Sequence, residues 1–165
     1  MKDSLNDLIE ALREELRQYG EMLARLDYHQ EQIMRRAAGE VLTSADAVQE
    51  QGRTMQECRQ GRVAMQVQLA RALNLPEEAS FADIVPSLPA DYQPLVRALV
   101  DENNALLLRV QQRARQNHLL LRRSLELMQK FLTTIFPLGH RGGYDGQGHS
   151  FNRAMPACAL YDAAG

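Results

Sequence analysis

The side chains best suited to chemistry in this chain of 165 residues are His29, His118, His140, His149, Cys58 and Cys158. Imidazoles and thiolates at short spacing hold zinc, and a thiolate beside an imidazole makes a nucleophile. The spacing here works against both. Cys58 and Cys158 are a hundred positions apart, which offers neither a metal knuckle nor a disulfide framework. His140 and His149 are nine apart with no acidic cluster beside them. His29 and His118 each stand alone in a helical pattern, where a solvated or snorkelling ring is the expected state, and Cys58 reads as a small core residue. No His-Glu-x-x-His is present, no glycine-rich phosphate loop follows a strand, and no strand pattern exists to carry a nucleophile elbow. The sequence predicts no catalytic residue, no metal site and no cofactor: a binding protein, not an enzyme.

The charges narrow what it binds. The net charge of −2 gives no strong attraction to phosphate backbones or anionic lipid. One stretch departs from the average: between Ala105 and Lys130 the bases Arg109, Arg113, Arg115, Arg122, Arg123 and Lys130 face a single acid, Glu126. No aromatic side chains interleave them to stack nucleobases. Residues 1–40 hold nine acids against six bases, so a basic helix packed beside an acidic one accounts for the charges without nucleic acid. No apolar run reaches the roughly 18–20 residues needed to span a bilayer. The opening Met-Lys-Asp-Ser lacks an apolar signal region. The expectation is a cytosolic protein with no membrane insertion.

The elements that must position these groups are helical. Apolar residues make up 45% of the chain, Trp is absent and aromatics are 5%. Much of the apolar content is Leu, Met and Ala, which suits narrow helical seams. Leu5, Ile9, Leu12, Leu16, Tyr19, Leu23, Leu26, Ile33 and Ala37 follow an alternating spacing of three and four, interrupted at Gln30. This predicts a first helix over about residues 4–40, capped by Asp3 or Ser4 and supported by Glu21–Arg25 and Glu31–Arg35 pairs. Thr43 and Ser44 offer a start for a second helix over about 44–73, with Val48, Met55, Cys58, Met65, Leu69 and Leu73 as its seam. Gly52 and Gly61 weaken it. It is either the return arm of a hairpin or a continuation after a break near Gly39, and the turn residues favour the hairpin. Residues 74–94 hold Pro76, Pro86, Pro89 and Pro94 and read as a connector, with Ser80–Asp83 starting a short turn that Pro86 ends. A last helix then runs over about 90–136, with Leu95, Leu99, Leu106, Val110, Leu120, Leu127, Phe131 and Ile135 as its seam. Asn103, Arg113, Asn117 and Ser124 interrupt that seam. From 137 to 165 the chain carries six of its ten glycines and reads as a flexible tail. The fold class expected is all-α: an elongated antiparallel bundle of long, coiled-coil-like helices over 1–136, followed by that tail.

One stretch has more apolar surface than such a bundle hides. Leu119, Leu120, Leu121, Leu125, Leu127, Met128, Phe131, Leu132, Ile135 and Phe136 fall within residues 119–136. At about 100° per residue they spread over roughly 260° of the helix, against about 100–140° for one buried face. A helix enclosed on both sides by its own bundle would absorb the surplus. A helix that docks another polypeptide would use it, and Met128 and the leucines can repack against varied partners.

Here the residues resemble a known family. Asn117-His118-Leu119-Leu120-Leu121 followed by Ser124-Leu125-Glu126 looks like the Asn-x-x-Leu-Leu…Ser-Leu-Glu segment of the flagellar export chaperone FlgN family. Tyr144-Asp145-Gly146-Gln147-Gly148 looks like that family's Tyr-Asp-x-x-Gly tail motif. The helical layout agrees over most of the chain, although residues 150–165 run past the usual end. The resemblance implies a cytosolic type III secretion chaperone that holds hook-associated (hook–filament junction) proteins by their terminal helices, keeps them unassembled and delivers them to the flagellar export gate. It implies client binding by Asn117, Leu120, Leu121, Ser124, Leu127, Met128, Phe131, Leu132 and Ile135. It implies docking to the export machinery by Tyr144, Asp145 and Gly148. The free chain would then be a monomer or a weak homodimer. The alternative is a structural coiled-coil protein that only associates with itself.

Overall fold

The computed structural model describes residues 2–135. The expected glycine-rich tail, with Tyr144, Asp145, Gly148, His140, His149 and Cys158, lies outside them, as does Phe136. The described chain is helical throughout its long elements: α1 (Lys2–Arg35), α2 (Ala38–Ala72), a single turn α3 (Phe81–Ile84) running into a 3-10 turn (Val85–Ser87), and α4 (Gln93–Ile135). There is no strand among the described residues. The chain divides into two compact units, Met1–Leu125 and Glu126–Gly165, with the boundary inside α4.

Within the first unit α1 and α2 form the hairpin that the turn residues favour. The reversal is made at Arg36, whose φ of 56° is left-handed. Its N–H donates to the Ile33 carbonyl and that of Ala37 to the Gln32 carbonyl, each at 3.2 Å, which closes the helix end. A non-glycine residue there costs about 1 kcal/mol. Asn74, at φ 57°, ends α2 in the same way, with Leu75 donating to Ala70 at 2.9 Å. Asparagine tolerates that conformation better than most residues.

The helix starts differ from expectation. Asp3 and Ser4 lie inside α1, where Asp3 sets its charge in the first turn. Thr43 and Ser44 lie inside α2, which begins at Ala38 with Ala37 as an N-cap that offers no side-chain acceptor. Their hydroxyls bond instead to carbonyls of the preceding turn, Thr43 to Gly39 and Ser44 to Val41. The Ser80 turn is as expected: Asp83 Oδ2 accepts from both the Ser80 N–H and its hydroxyl. These bonds hold the Asp83 carboxyl below the usual carboxylate range. Pro86 does not end the turn but sits within its 3-10 extension.

The cross-helix bonds set directions. Between α1 and α2, His29 meets Ser44, Gln18 meets Gln51 and Glu15 meets Arg62, so numbers fall on one helix as they rise on the other: antiparallel. Between α1 and α4, Asn103 donates to the Leu12 carbonyl at 3.0 Å and Asn117 to the Leu26 carbonyl at 2.7 Å. Both pairs are 91 positions apart, so α4 runs parallel to α1 in a fixed register.

Two apolar clusters fill this unit. The larger joins Leu5, Leu8, Ile9 and Leu12 of α1 to Leu69 and Ala70 of α2, Ile84, Val85 and Leu88 of the connector, and Val96 and Leu99 of α4. Leu8, Leu69, Ile84 and Val96 are fully enclosed, and truncating such a leucine to alanine costs about 3 kcal/mol. The smaller cluster is Tyr19, Met22, Leu26 and Val110. A polar layer separates them. Glu15 accepts from Tyr19 Oη and Arg62 Nε, both at 2.7 Å, and Gln51 donates to both the side chain and the carbonyl of Gln18. Burial, and then the bond to Glu15, push the Tyr19 phenol up.

This layer corrects the expected seams. α1 buries Leu8, Glu15, Met22 and His29, a second stripe seven residues apart, beside Leu5, Leu12, Tyr19, Leu26 and Ile33. On α2 the buried or half-buried positions Ser44, Val48, Gln51, Met55, Cys58, Arg62, Met65 and Leu69 alternate by four and three. Cys58 is half-buried on this seam rather than in the core, and burial pushes its thiol up. On α4 Val96 takes the buried position expected of Leu95, which is 37% exposed.

Candidate functional site

The last part of α4 carries the surface that the sequence singles out. Residues Gln93–Ile135 form one uninterrupted helix because Pro94 lies in its first turn, where no N–H is needed, and no Gly or Pro follows before Ile135. Its packing changes along its length. Val96, Leu99, Asn103, Val110 and Asn117 are buried, and after Asn117 no α4 side chain is.

In the first unit, Leu119 (63% exposed), Leu120 and Leu125 face solvent, whereas Leu121 and Ser124 are half-buried. In the second unit, Leu127, Met128, Phe131 (62% exposed), Leu132 and Ile135 are all exposed. Asn117 behaves differently from the rest of the predicted set. Its side chain is buried and turned to the Leu26 carbonyl, so it fixes α4 on α1. Its Oδ1 and that of Asn103 are buried with no hydrogen-bond partner among the described residues.

Where α4 is still packed, the contacts are polar. Arg113 Nε pairs with Asp27 at 2.9 Å, and a second guanidinium nitrogen donates to Gln30 Oε1. This basic residue does face the acid-rich first helix, as the charge distribution suggested. Nearby His29 departs from expectation. It is 8% exposed, and its Nδ1 lies 2.7 Å from Ser44 Oγ. The Ser44 hydroxyl also lies 3.0 Å from the Val41 carbonyl, so it links the ring to the α2 backbone. Burial lowers the imidazole pKa. His118, by contrast, is exposed. A pairing of two polar residues in a heptad seam leaves no apolar periodicity to read, so only the matching seven-residue spacing of Glu15, Met22 and His29 could have found it.

A cavity of about 90 Å³ opens between α1, α2, the connector and α4, lined by Glu15, Tyr19, Arg62, Phe81 and Asn103 among others. Both Glu15 oxygens are engaged there, and the Arg62 guanidinium lies 5.6 Å over the Phe81 ring. This is a packed polar layer. Among the described residues no three His, Cys, Asp or Glu side chains come together to hold a metal ion. No described helix is long and apolar enough to cross a membrane.

The described residues from Leu119 to Ile135 offer exposed apolar side chains on a formed helix. Comparison with curated proteins and with solved structures finds no match. A family model described as FlgN protein matches residues 1–150, which include all the described residues. The chain belongs to the FlgN family, a family of flagellar export chaperones.

Proposed function

We propose that this protein is a cytosolic chaperone that binds hook-associated proteins of the hook–filament junction, keeps them from assembling early and delivers them to the flagellar type III export apparatus. One observation carries the reading: the large apolar side chains from Leu119 to Ile135 are held on a formed helix with their surfaces open to water. Such a surface costs free energy in isolation, at about 25 cal/mol for each Å² left uncovered. A client helix laid along Leu120, Leu127, Met128, Phe131, Leu132 and Ile135 covers it and hides the client's own sticky stripe. Leu121 and Ser124 border that contact, and Asn117 anchors its root on α1. No chemistry is required. Mass action and affinity control capture and release. Tyr144, Asp145 and Gly148, outside the described residues, are the proposed contact with the export machinery.

The test is co-purification with a hook-associated client from a flagellated cell. Truncation after residue 115, or Leu127→Asp with Phe131→Asp, is expected to abolish capture while the α1–α2 hairpin keeps its helix content. Undiminished capture by these variants would remove the basis of the proposal.

A further inference from the structure

Two methionines are exposed among the described residues, Met34 at 72% and Met128 at 58%. Exposure lets an oxidant reach either thioether. Their surroundings differ. Met34 stands in the first unit next to Arg35, whose ion pair with Glu31 is itself exposed. Met128 belongs to the second unit, with Leu127, Phe131, Leu132 and Ile135. At about 100° per residue, Leu127, Phe131, Ile135, Met128 and Leu132 follow one another round an arc of roughly 140°. Met128 therefore lies inside that arc, between Ile135 and Leu132, and all five side chains are exposed. We infer that Met128 is an oxidation site that closes the client face: peroxide converts its thioether to the sulfoxide, and client affinity falls. The inference rests on the client face proposed above.

The chemistry needs only a peroxide. The sulfur lone pair attacks one peroxide oxygen, an S–O bond forms as the O–O bond breaks, and the other oxygen leaves as water. Sulfur is oxidised by the two electrons that reduce the peroxide. The product sets a strong acceptor within the apolar arc. A client's apolar stripe offers it no donor, and burying an unpaired polar group opposes docking. At Met34 the same oxidation adds a polar atom beside an ion pair that is already in water, and the client face is untouched.

The experiment treats full-length protein with hydrogen peroxide, removes the excess with catalase and then titrates in a purified hook–filament junction protein. Sulfoxide at Met128, read by peptide mass spectrometry, is expected to weaken binding about tenfold. Methionine sulfoxide reductases are expected to restore it. M128L, a swap of similar volume, keeps the affinity and loses the peroxide effect, although Met34 and both cysteines still meet the oxidant. M128Q imitates the polar product and weakens binding without peroxide. Client added before the peroxide slows oxidation of Met128 but not of Met34 in the same sample. A peroxide effect as large in M128L as in the wild type overturns the oxidation site and leaves the client face intact. Undiminished binding by the Met128 sulfoxide does the same. A bound client that leaves Met128 oxidising as fast as before also overturns it. Failure of the untreated wild type to bind overturns the proposed function itself.

Discussion

Asn117 gives its side-chain N–H to the carbonyl of Leu26, 2.7 Å away and 91 positions earlier in the chain. Fourteen residues before it, Asn103 makes the same bond to Leu12, so two asparagines at the seam set the register of α4 on α1. Each keeps a buried Oδ1 without a partner among the described residues. Such a polar pin costs stability and fixes one alignment among several that an all-leucine seam would allow.

Asn117→Leu is therefore expected to be neutral or to raise stability by about 1 kcal/mol, since the loss of one bond is offset by removing a buried unpartnered oxygen. Asn117→Asp buries a charge and removes the donor, and is expected to cost about 3 kcal/mol. Urea unfolding of the two variants checks both signs. A leucine variant that loses more than about 2 kcal/mol would show that the bond outweighs the orphaned oxygen.

The polar layer makes a second prediction. Glu15 and Arg62 form a buried ion pair, with side chains 4% and 14% exposed. Arg62→Ala leaves the carboxylate with only Tyr19 and is expected to cost about 3 kcal/mol, whereas Glu15→Leu with Arg62→Met is expected to recover most of that loss. Thermal unfolding of both variants measures the difference. A double variant no more stable than Arg62→Ala would mean that the pair itself, not the unpaired charge, carries the energy.

Acid should loosen the end of the hairpin. His29 has its pKa lowered from 6.5 by burial, so the unfolded chain binds its proton more readily than the folded one. Its contribution is present above pH 6.5 and is lost as the pH falls below that value. Glu14, held near 2 by its bonds from Arg17 and Gln18, and Asp83 add losses only below the ordinary carboxylate range. Melting temperature should fall between pH 7.5 and 5.5 in the wild type and fall less in His29→Gln. Equal slopes in the two proteins would remove His29 as the cause.

Two glycines leave stability unused. A Cβ built at Gly20 or at Gly61 meets nothing within 4 Å, so alanine fits at both. Gly20→Ala and Gly61→Ala should each add up to about 1 kcal/mol through helix propensity. Both lie far in sequence from residues 119–135, and client binding should not change. Urea midpoints and one binding titration test the pair of claims.

Much of this fold is legible in the sequence because long helices repeat their pattern. The stripe of Leu5, Leu12, Tyr19, Leu26 and Ile33 announces α1, and the prolines around Pro86 announce the connector. The hidden part is polar. Glu15, Gln18, His29, Gln51 and Asn117 occupy seam positions where an apolar count sees an interruption, and only their partners across the bundle reveal them. The helix starts were misread for a related reason. Thr43 and Ser44 cap well in general, but here the reversal at Arg36 begins α2 earlier and leaves their hydroxyls to bond within it. The apolar surplus from Leu119 onward is legible because it exceeds what any one face can bury, and exposed side chains report it directly.

The central claim is that a client is held by the open face of α4. Backbone hydrogen exchange of the full-length protein, with and without a purified hook–filament junction protein, locates the contact residue by residue. New protection is expected from Leu119 to Ile135, with no change over Leu5–Leu12, which are already enclosed. Protection confined to the α1–α2 hairpin, with residues 119–135 exchanging as before, would contradict the account.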